Sequence, residues 1–256
     1  MLFGANDLHI GRSLDLYGEW AEQELSLLSS VLRAGDTALD VGANIGTHTL
    51  AFARAVGPTG RVLAFEPQRL VFQTLCANLA LNGIACVDAR QAAVAEAQGS
   101  TRVPEVELDK PQNVGGVSVG AATGGVSVEQ LAIDDLELDS VRLIKIDVEG
   151  FELLALQGAD KTIRTHRPAL YVENNDARRS RALIEHIEEL DYSLYWHFSP
   201  FFNPANFYEN TDDVFGGLVD ANMLCLPSPM PGLMPVEGVD DTAEAALRRA
   251  EIPNQV

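Results

Sequence analysis

Four short apolar runs in this 256-residue chain stop at carboxylates: TALD at Asp40, LAFE at Glu66, LIKID at Asp147 and LYVE at Glu173. An apolar run bounded by turn residues reads as a buried strand, and open α/β sheets bind ligands beyond the carboxyl ends of such strands. The spacing therefore gathers acids along one edge of a sheet. After Asp40 comes Val41-Gly42-Ala43-Asn44-Ile45-Gly46, whose glycines permit a tight turn and close approach of a ligand to the backbone. No GxxxxGK[ST] occurs, which excludes a P-loop. The dinucleotide fingerprint GxGxxG fails too, because Asn44 replaces its second glycine and Thr47 its third. Asp40 at the strand end is also a poor neighbour for a pyrophosphate.

A ligand with positive charge and no phosphate suits an acidic turn, and S-adenosylmethionine, with its ammonium and sulfonium, is such a ligand. Glu66 closes the second run, where a carboxylate can accept from ribose hydroxyls. NAD enzymes use the same device, so Glu66 does not discriminate. Asp40 together with Asn44 favours adenosylmethionine over NAD.

Methyl transfer needs an acceptor aligned with the methyl group and a place for its proton. Asp147 ends its apolar run at the sheet edge where ligands bind, and Glu149 follows in the turn, where it serves either chemistry or the start of a helix. Glu173 and Asn174 are candidates for base and acceptor contact, whereas Asp176 reads as a helix N-cap. His197 follows a later strand and could titrate near neutrality, while His48, inside a helix, either borders the cofactor or packs. Asp147, Glu149 and Glu173 could together bind a divalent ion, but no diagnostic metal spacing accompanies them and a metal is not predicted. The aromatic stretch from Trp196 to Tyr208 forms either a wall over the acceptor or packing against the sheet end.

The elements that must hold these residues alternate. Strands are expected at Thr37 to Val41, Arg61 to Phe65, Val141 to Ile146 and Ala169 to Val172, with helices at Gly46 to Val56, Leu70 to Leu81, Glu149 to Gln157 and Arg178 to Leu190. Such alternation makes a mostly parallel sheet with helices on both faces. Tyr192 to His197 and Asn222 to Leu226 are two later strands. Gly99 to Val128, with Val117-Ser118-Val119 and Val126-Ser127-Val128 alternating, reads as a β-ribbon inserted at the sheet edge. Residues 1–35 form a segment covering cofactor or substrate, 36–226 the main domain, and 227–256 a proline-rich linker and tail with a short helix near Asp241 to Ala250.

Composition narrows the partners. Apolar residues make up 46% and charged residues 21%, ordinary for a globular chain, but 18 Lys+Arg against 37 Asp+Glu leave a net charge of −19. Such a surface repels nucleic-acid backbones and anionic membranes. Cys76, Cys86 and Cys225 form no metal or disulfide pattern, and with no signal peptide or apolar span the expected location is cytoplasmic.

The runs GDTALDVGANIGTHTLAFA, AFEP, FQTLCANLALN and LIKIDVEGFELLALQGA, in this order, resemble the FkbM family of adenosylmethionine-dependent methyltransferases, over approximately residues 8 to 226. The resemblance implies a Rossmann-like class I methyltransferase fold, α/β, with a seven-stranded sheet and the cofactor across the ends of its first, second and fourth strands. Carried over, Asp40, Gly42, Ala43, Asn44 and Gly46 meet the methionine end, Glu66 the ribose, Gln68 the adenosine, and Ala92 and Ala93 the adenine. Tyr17 and Glu19 belong to a segment that in similar proteins covers the cofactor, or else cap an apolar face. The expected activity is O-methylation of a hydroxyl on a small molecule, sugar or secondary metabolite. An NAD(P) oxidoreductase and a non-catalytic cofactor-binding protein are the alternatives.

Overall fold

A computed structural model describes residues 1–107, 109–116 and 125–227, with the backbone of 239 and 240. In chain order the elements are α1 (Ile10–Tyr17), α2 (Glu22–Val31), β1 (Thr37–Val41), α3 (Thr47–Val56), β2 (Arg61–Phe65), α4 (Arg69–Leu81), β3 (Val87–Arg90), β4 (Ala92–Val94), β5 (Gly99–Val103) and β6 (Val126–Leu131). A 3-10 turn at Ile133–Leu136 precedes β7 (Leu143–Ile146), α5 (Glu152–Gln157), α6 (Asp160–His166), β8 (Ala169–Glu173), α7 (Ala177–Glu189), β9 (Tyr192–Pro200), β10 (Val219–Pro227) and β11 (Val239–Asp240).

The main sheet runs β11-β9-β10-β8-β7-β1-β2-β3. Strands β3, β2, β1, β7 and β8 are parallel, and β10, β9 and β11 join antiparallel. Seven strands of this sheet thus lie between residues 37 and 227, and the two-residue β11 adds an eighth among the described residues. The chain winds outward in opposite directions from β1 and from β7, so their shared end is the topological switch point where such sheets form a crevice.

Period-two alternation sorts the strand side chains between two layers. Ile144, Ile146, Leu170 and Val172 face Ala155, Leu156, Leu183 and Ile187 of α5 and α7. Leu143, Ala169 and Tyr171 face Leu28 and Val31 of α2 and Phe52 and Val56 of α3. Most of these side chains are wholly shielded, and each such burial contributes about 1.5–3 kcal/mol. Residues 1–35, read from sequence only as a covering segment, thus contribute α2 to one helical layer.

The expected antiparallel ribbon forms as β5 against β6. It does not extend the main sheet; β4, β6 and β5 make a separate three-stranded sheet, with β4 parallel and β5 antiparallel to β6. Its inner face packs Ala93, Val103 and Val128 with Phe151, leaving Val126 exposed. Val117 to Val119, the proline-rich stretch after Pro227 and the expected tail helix lie outside the described residues. Among the described residues, no helix is long and apolar enough to cross a membrane.

Candidate active site

A cavity of about 500 Å³ opens at the ends of β1, β2, β7 and β8. Its floor begins at Gly42, where φ is +81° and an added Cβ would lie 1.8 Å from the Asp147 carbonyl oxygen. Only glycine fits, because the turn after β7 presses on the turn after β1. Asn44 is also left-handed, at φ 48°, a conformation its own Oδ1 supports by accepting from the Ile45 amide at 2.8 Å.

Glu66, 4% exposed, is held from two sides. Its Oε2 accepts from the Asn44 amide at 3.0 Å and its Oε1 from the Gln68 amide at 2.8 Å. Burial raises its carboxyl to about 7, against those two amides and with help from the charges of Asp40 and Asp147. Gln68 lines the cavity and donates its Nε2 hydrogen to the Val114 carbonyl at 3.1 Å, which ties the insert segment carrying Asn113, Gly115 and Gly116 over the opening. Asp7 fastens the same segment from the N-terminus, accepting from the amides of Gly11 at 2.8 Å and Val114 at 3.5 Å.

The β7 end carries the densest charge. Leu143, Lys145 and Asp147 share a face, and Lys145, only 2% exposed, places its Nζ 3.1 Å from Asp147 Oδ2 and 3.6 Å from Asp40 Oδ1. Burial works against its charge, but Asp147 and Asp40 more than compensate, so the ammonium is held more firmly than a free lysine's. Burial would likewise raise Asp147, half-buried where it borders the cavity; the Lys145 charge and hydrogen bond, with one from Glu173, hold its carboxyl below the usual range.

Two neighbours go the other way. Burial, then the charges of Asp147, Glu152 and Asp220, push Glu149 up to about 8. Burial, with the charges of Asp147 and Glu149 next, raises Glu173 well above its ordinary value. Asp147, Glu149 and Glu173 each bring one oxygen within 4.8 Å of the others, a spacing that could hold a cation. Asn175 spans Glu173 Oε1 at 2.7 Å and Asp220 Oδ1 at 2.8 Å, and burial leads in raising Asp220 to about 7.

Several expected contacts lie elsewhere. Asp40 is wholly buried beneath the cavity, accepting from the Thr49 hydroxyl at 2.6 Å and facing Lys145, so its charge meets lysine and not ligand. Gly46 caps α3 with φ +93°, and an added Cβ would strike the Leu75 side chain at 2.6 Å; its role is local packing. Ala92 and Ala93 are buried in β4 away from the cavity, because the chain leaves the main sheet there for the small one.

Tyr17, 1% exposed, donates its hydroxyl to the Asp212 carbonyl at 2.7 Å, and Glu19 accepts from Asn203 and from the Phe207 amide. Both anchor the aromatic loop instead of lining the cavity. His197 lies inside the β9 ladder, opposite Asn222, with Nδ1 2.7 Å from the Tyr171 hydroxyl. Burial lowers its pKa, and it does not line the cavity. Asp176 does cap α7, accepting from the Arg178 amide at 3.0 Å.

Other residues escaped the sequence reading. Lys145 interrupts the apolar run LIKI, a local signal that a buried partner must exist. Glu24 of α2 lines the cavity, 5% exposed, pairing with His48 Nε2 at 3.2 Å and accepting from Asn222, and Asp220 enters from β10. Trp196 and Phe201 line the wall, whereas Phe207 and Tyr208 are exposed and take neither expected role.

Comparison with known proteins matches this arrangement to a family. The profile of the methyltransferase FkbM domain matches residues 40–194, more than half of the chain. Methyltransferase sdnD of Sordaria araneosa is 31% identical over 156 residues, covering 48% of this chain and 60% of that protein. The 31-O-demethyl-FK506 methyltransferase FkbM of Streptomyces tacrolimicus is 29% identical over 214 residues, covering 75% and 81%. A hexuronic acid methyltransferase, AglP of Haloferax volcanii, is 27% identical, covering 61% and 62%. The chain spans about 60% of the length of several curated relatives it matches. Among solved structures, methyltransferase FkbM from Methylobacillus flagellatus superposes with a TM-score of 0.50 at 21% identity, covering 82% of this chain and 48% of that one. The precorrin 8w decarboxylase of Methanobacterium thermoautotrophicum gives 0.51 at 12% identity, covering 88% and 99%, which speaks for the fold alone. The length of the profile match separates the methyltransferase reading from the NAD(P) one, and the chain belongs to the FkbM methyltransferase family.

Proposed function

We propose that the protein transfers a methyl group from S-adenosylmethionine to a hydroxyl of a small molecule or sugar. The observation that carries this is the charge of the cavity. Glu24, Glu66, Asp147, Glu149, Glu173 and Asp220 line it, against Lys145 as its one Lys or Arg among the described residues. A sulfonium and an ammonium are welcome there and a pyrophosphate is not. Gly42 and Asn44 hold the methionine end, and Glu66, oriented by two backbone amides, keeps lone pairs for the ribose hydroxyls. The names of two relatives, one acting on 31-O-demethyl-FK506 and one on hexuronic acid, support a hydroxylated acceptor.

Bound adenosylmethionine supplies a methyl group on positive sulfur, which leaves as a neutral thioether when the acceptor oxygen takes the methyl. Asp147 accepts the hydroxyl proton. A weakly basic carboxylate suffices, because the hydroxyl becomes strongly acidic as its oxygen is alkylated. Glu149 and Glu173, both raised by burial and by the charge of Asp147, flank Asp147 on the cavity wall.

Calorimetry with S-adenosylhomocysteine, and mass spectrometry of hydroxylated acceptors incubated with a deuterated methyl donor, test the reading. Binding with methyl transfer to oxygen is expected. Absence of binding to both the cofactor and its product would sink it.

A further inference from the structure

Lys145 is buried in the middle of the central strand, and nothing in the transfer step above uses it. The register sets it beside Asp40 of β1 and Tyr171 of β8 in one row across three adjacent strands. Its Nζ reaches Asp147 at 3.1 Å on the cavity side and Asp40 at 3.6 Å on the buried side. Asp40 is itself fixed by the Thr49 hydroxyl at 2.6 Å. The result is a chain from α3 through β1 and β7 to the cavity, ending on the carboxylate that touches the acceptor.

Asp147 lies just beyond the strand end, where Lys145 holds its carboxylate from below and Glu173 bonds it from the side. Glu149 and Glu173 come within 4.8 Å of Asp147, and Glu24 and Asp220 also line the cavity. Among the described residues Asp147 makes its ion pair with Lys145, which lies below it on a strand hydrogen-bonded to both neighbours.

Resting on the methyltransferase reading, we infer that Lys145 is the positioning residue for Asp147: braced by Asp40 and Thr49, its ammonium fixes the orientation of the carboxylate that meets the acceptor hydroxyl. Lysine suits this place because a compact charge on a flexible stem can lie between two carboxylates inside a sheet, where a planar guanidinium needs more room. Lys145 itself touches neither methyl donor nor acceptor in this role.

The test is a double-mutant cycle on the full chain. Lys145→Met is expected to lower kcat about a hundredfold, the scale of a positioned proton acceptor, with acceptor KM and S-adenosylhomocysteine affinity changed less than about threefold. In an Asp147→Asn background the same substitution should cost less than about threefold more, since the residue it positions is already disabled. Lys145→Gln, which fits the same space and removes the charge while keeping a hydrogen-bond donor, carries the cycle if Lys145→Met does not fold. Losses that multiply in the double variant, or a fall in S-adenosylhomocysteine affinity as large as the fall in kcat, would overturn the inference. So would a Lys145→Met enzyme of full rate. A parent protein that fails to bind S-adenosylhomocysteine refutes the methyltransferase reading instead, which keeps the two failures distinct.

Discussion

If the acids around the cavity await a cation, protons must compete with the methyl donor for them, and the competition can be sized. Burial and neighbouring charge set Glu149 at about 8 and Glu66 at about 7, against ordinary values near 4.5. Below these values each carboxyl holds a proton that a sulfonium must displace. If binding requires one ionised group of pKa 8, affinity scales as 1/(1+10^(8−pH)), so it rises about ninefold between pH 6 and 7. The corresponding rise for Glu66 is about fivefold. Glu66 faces the ribose in the proposed complex, so its share falls equally on S-adenosylmethionine and S-adenosylhomocysteine; the sulfonium charge belongs to the first alone. The ratio of the two affinities should therefore shift toward S-adenosylmethionine by up to about ninefold over that unit of pH, a range in which an α-amino group stays largely protonated in both. Calorimetry at constant ionic strength, with a chelator present, measures both constants. Repetition in buffers of different ionisation enthalpy counts the protons released. Glu149→Gln should flatten the ratio. A ratio independent of pH in the parent protein, with no proton release specific to S-adenosylmethionine, refutes the competition.

The same groups set a trend in stability. Glu66, Glu149 and Asp220 bind more protons folded than unfolded, so the ligand-free protein should lose stability as pH rises from about 5 to 8, read by urea unfolding, and a flat profile contradicts their raised values. Gly42→Ala should destabilise by at least the roughly 1–2 kcal/mol of left-handed backbone, with more from the collision with the Asp147 carbonyl; an unchanged urea midpoint is the contrary result. His197→Ala should lower stability by about 0.5–1.5 kcal/mol through its lost hydrogen bond to the Tyr171 hydroxyl, which keeps Asn222 as a partner, yet leave S-adenosylhomocysteine affinity as it was. A large loss of that affinity would return His197 to the site.

The parts of the site legible in the sequence are those whose signal is local. The strands ending at Val41 and Phe65 are marked by apolar runs and turn residues within a few positions, so their ends, and with them Gly42, Asn44 and Glu66, fall where the spacing puts them. His197 closes the expected strand, but the strand runs three residues further. With β9 extending to Pro200, a side chain expected at the end of the sheet lies within it, bonded to Tyr171. Ala92 and Ala93 depend on where the chain leaves the main sheet, which the partner strand β6 decides from well along the sequence. Lys145 and Asp40 show the general case. Asp40 alone reads as a ligand contact and Lys145 alone as an oddity in a strand; only the parallel register of β1 against β7 turns them into a pair, with Asp40 committed to lysine and Asp147 left for chemistry. A role fixed by pairing between distant segments has no local pattern, because the two residues become neighbours only when the sheet forms. The acids at the strand ends are thus one feature in the sequence and two in the molecule: Asp40 lies under the floor and holds its lysine, while Glu66, Asp147 and Glu173 stand on the wall above it.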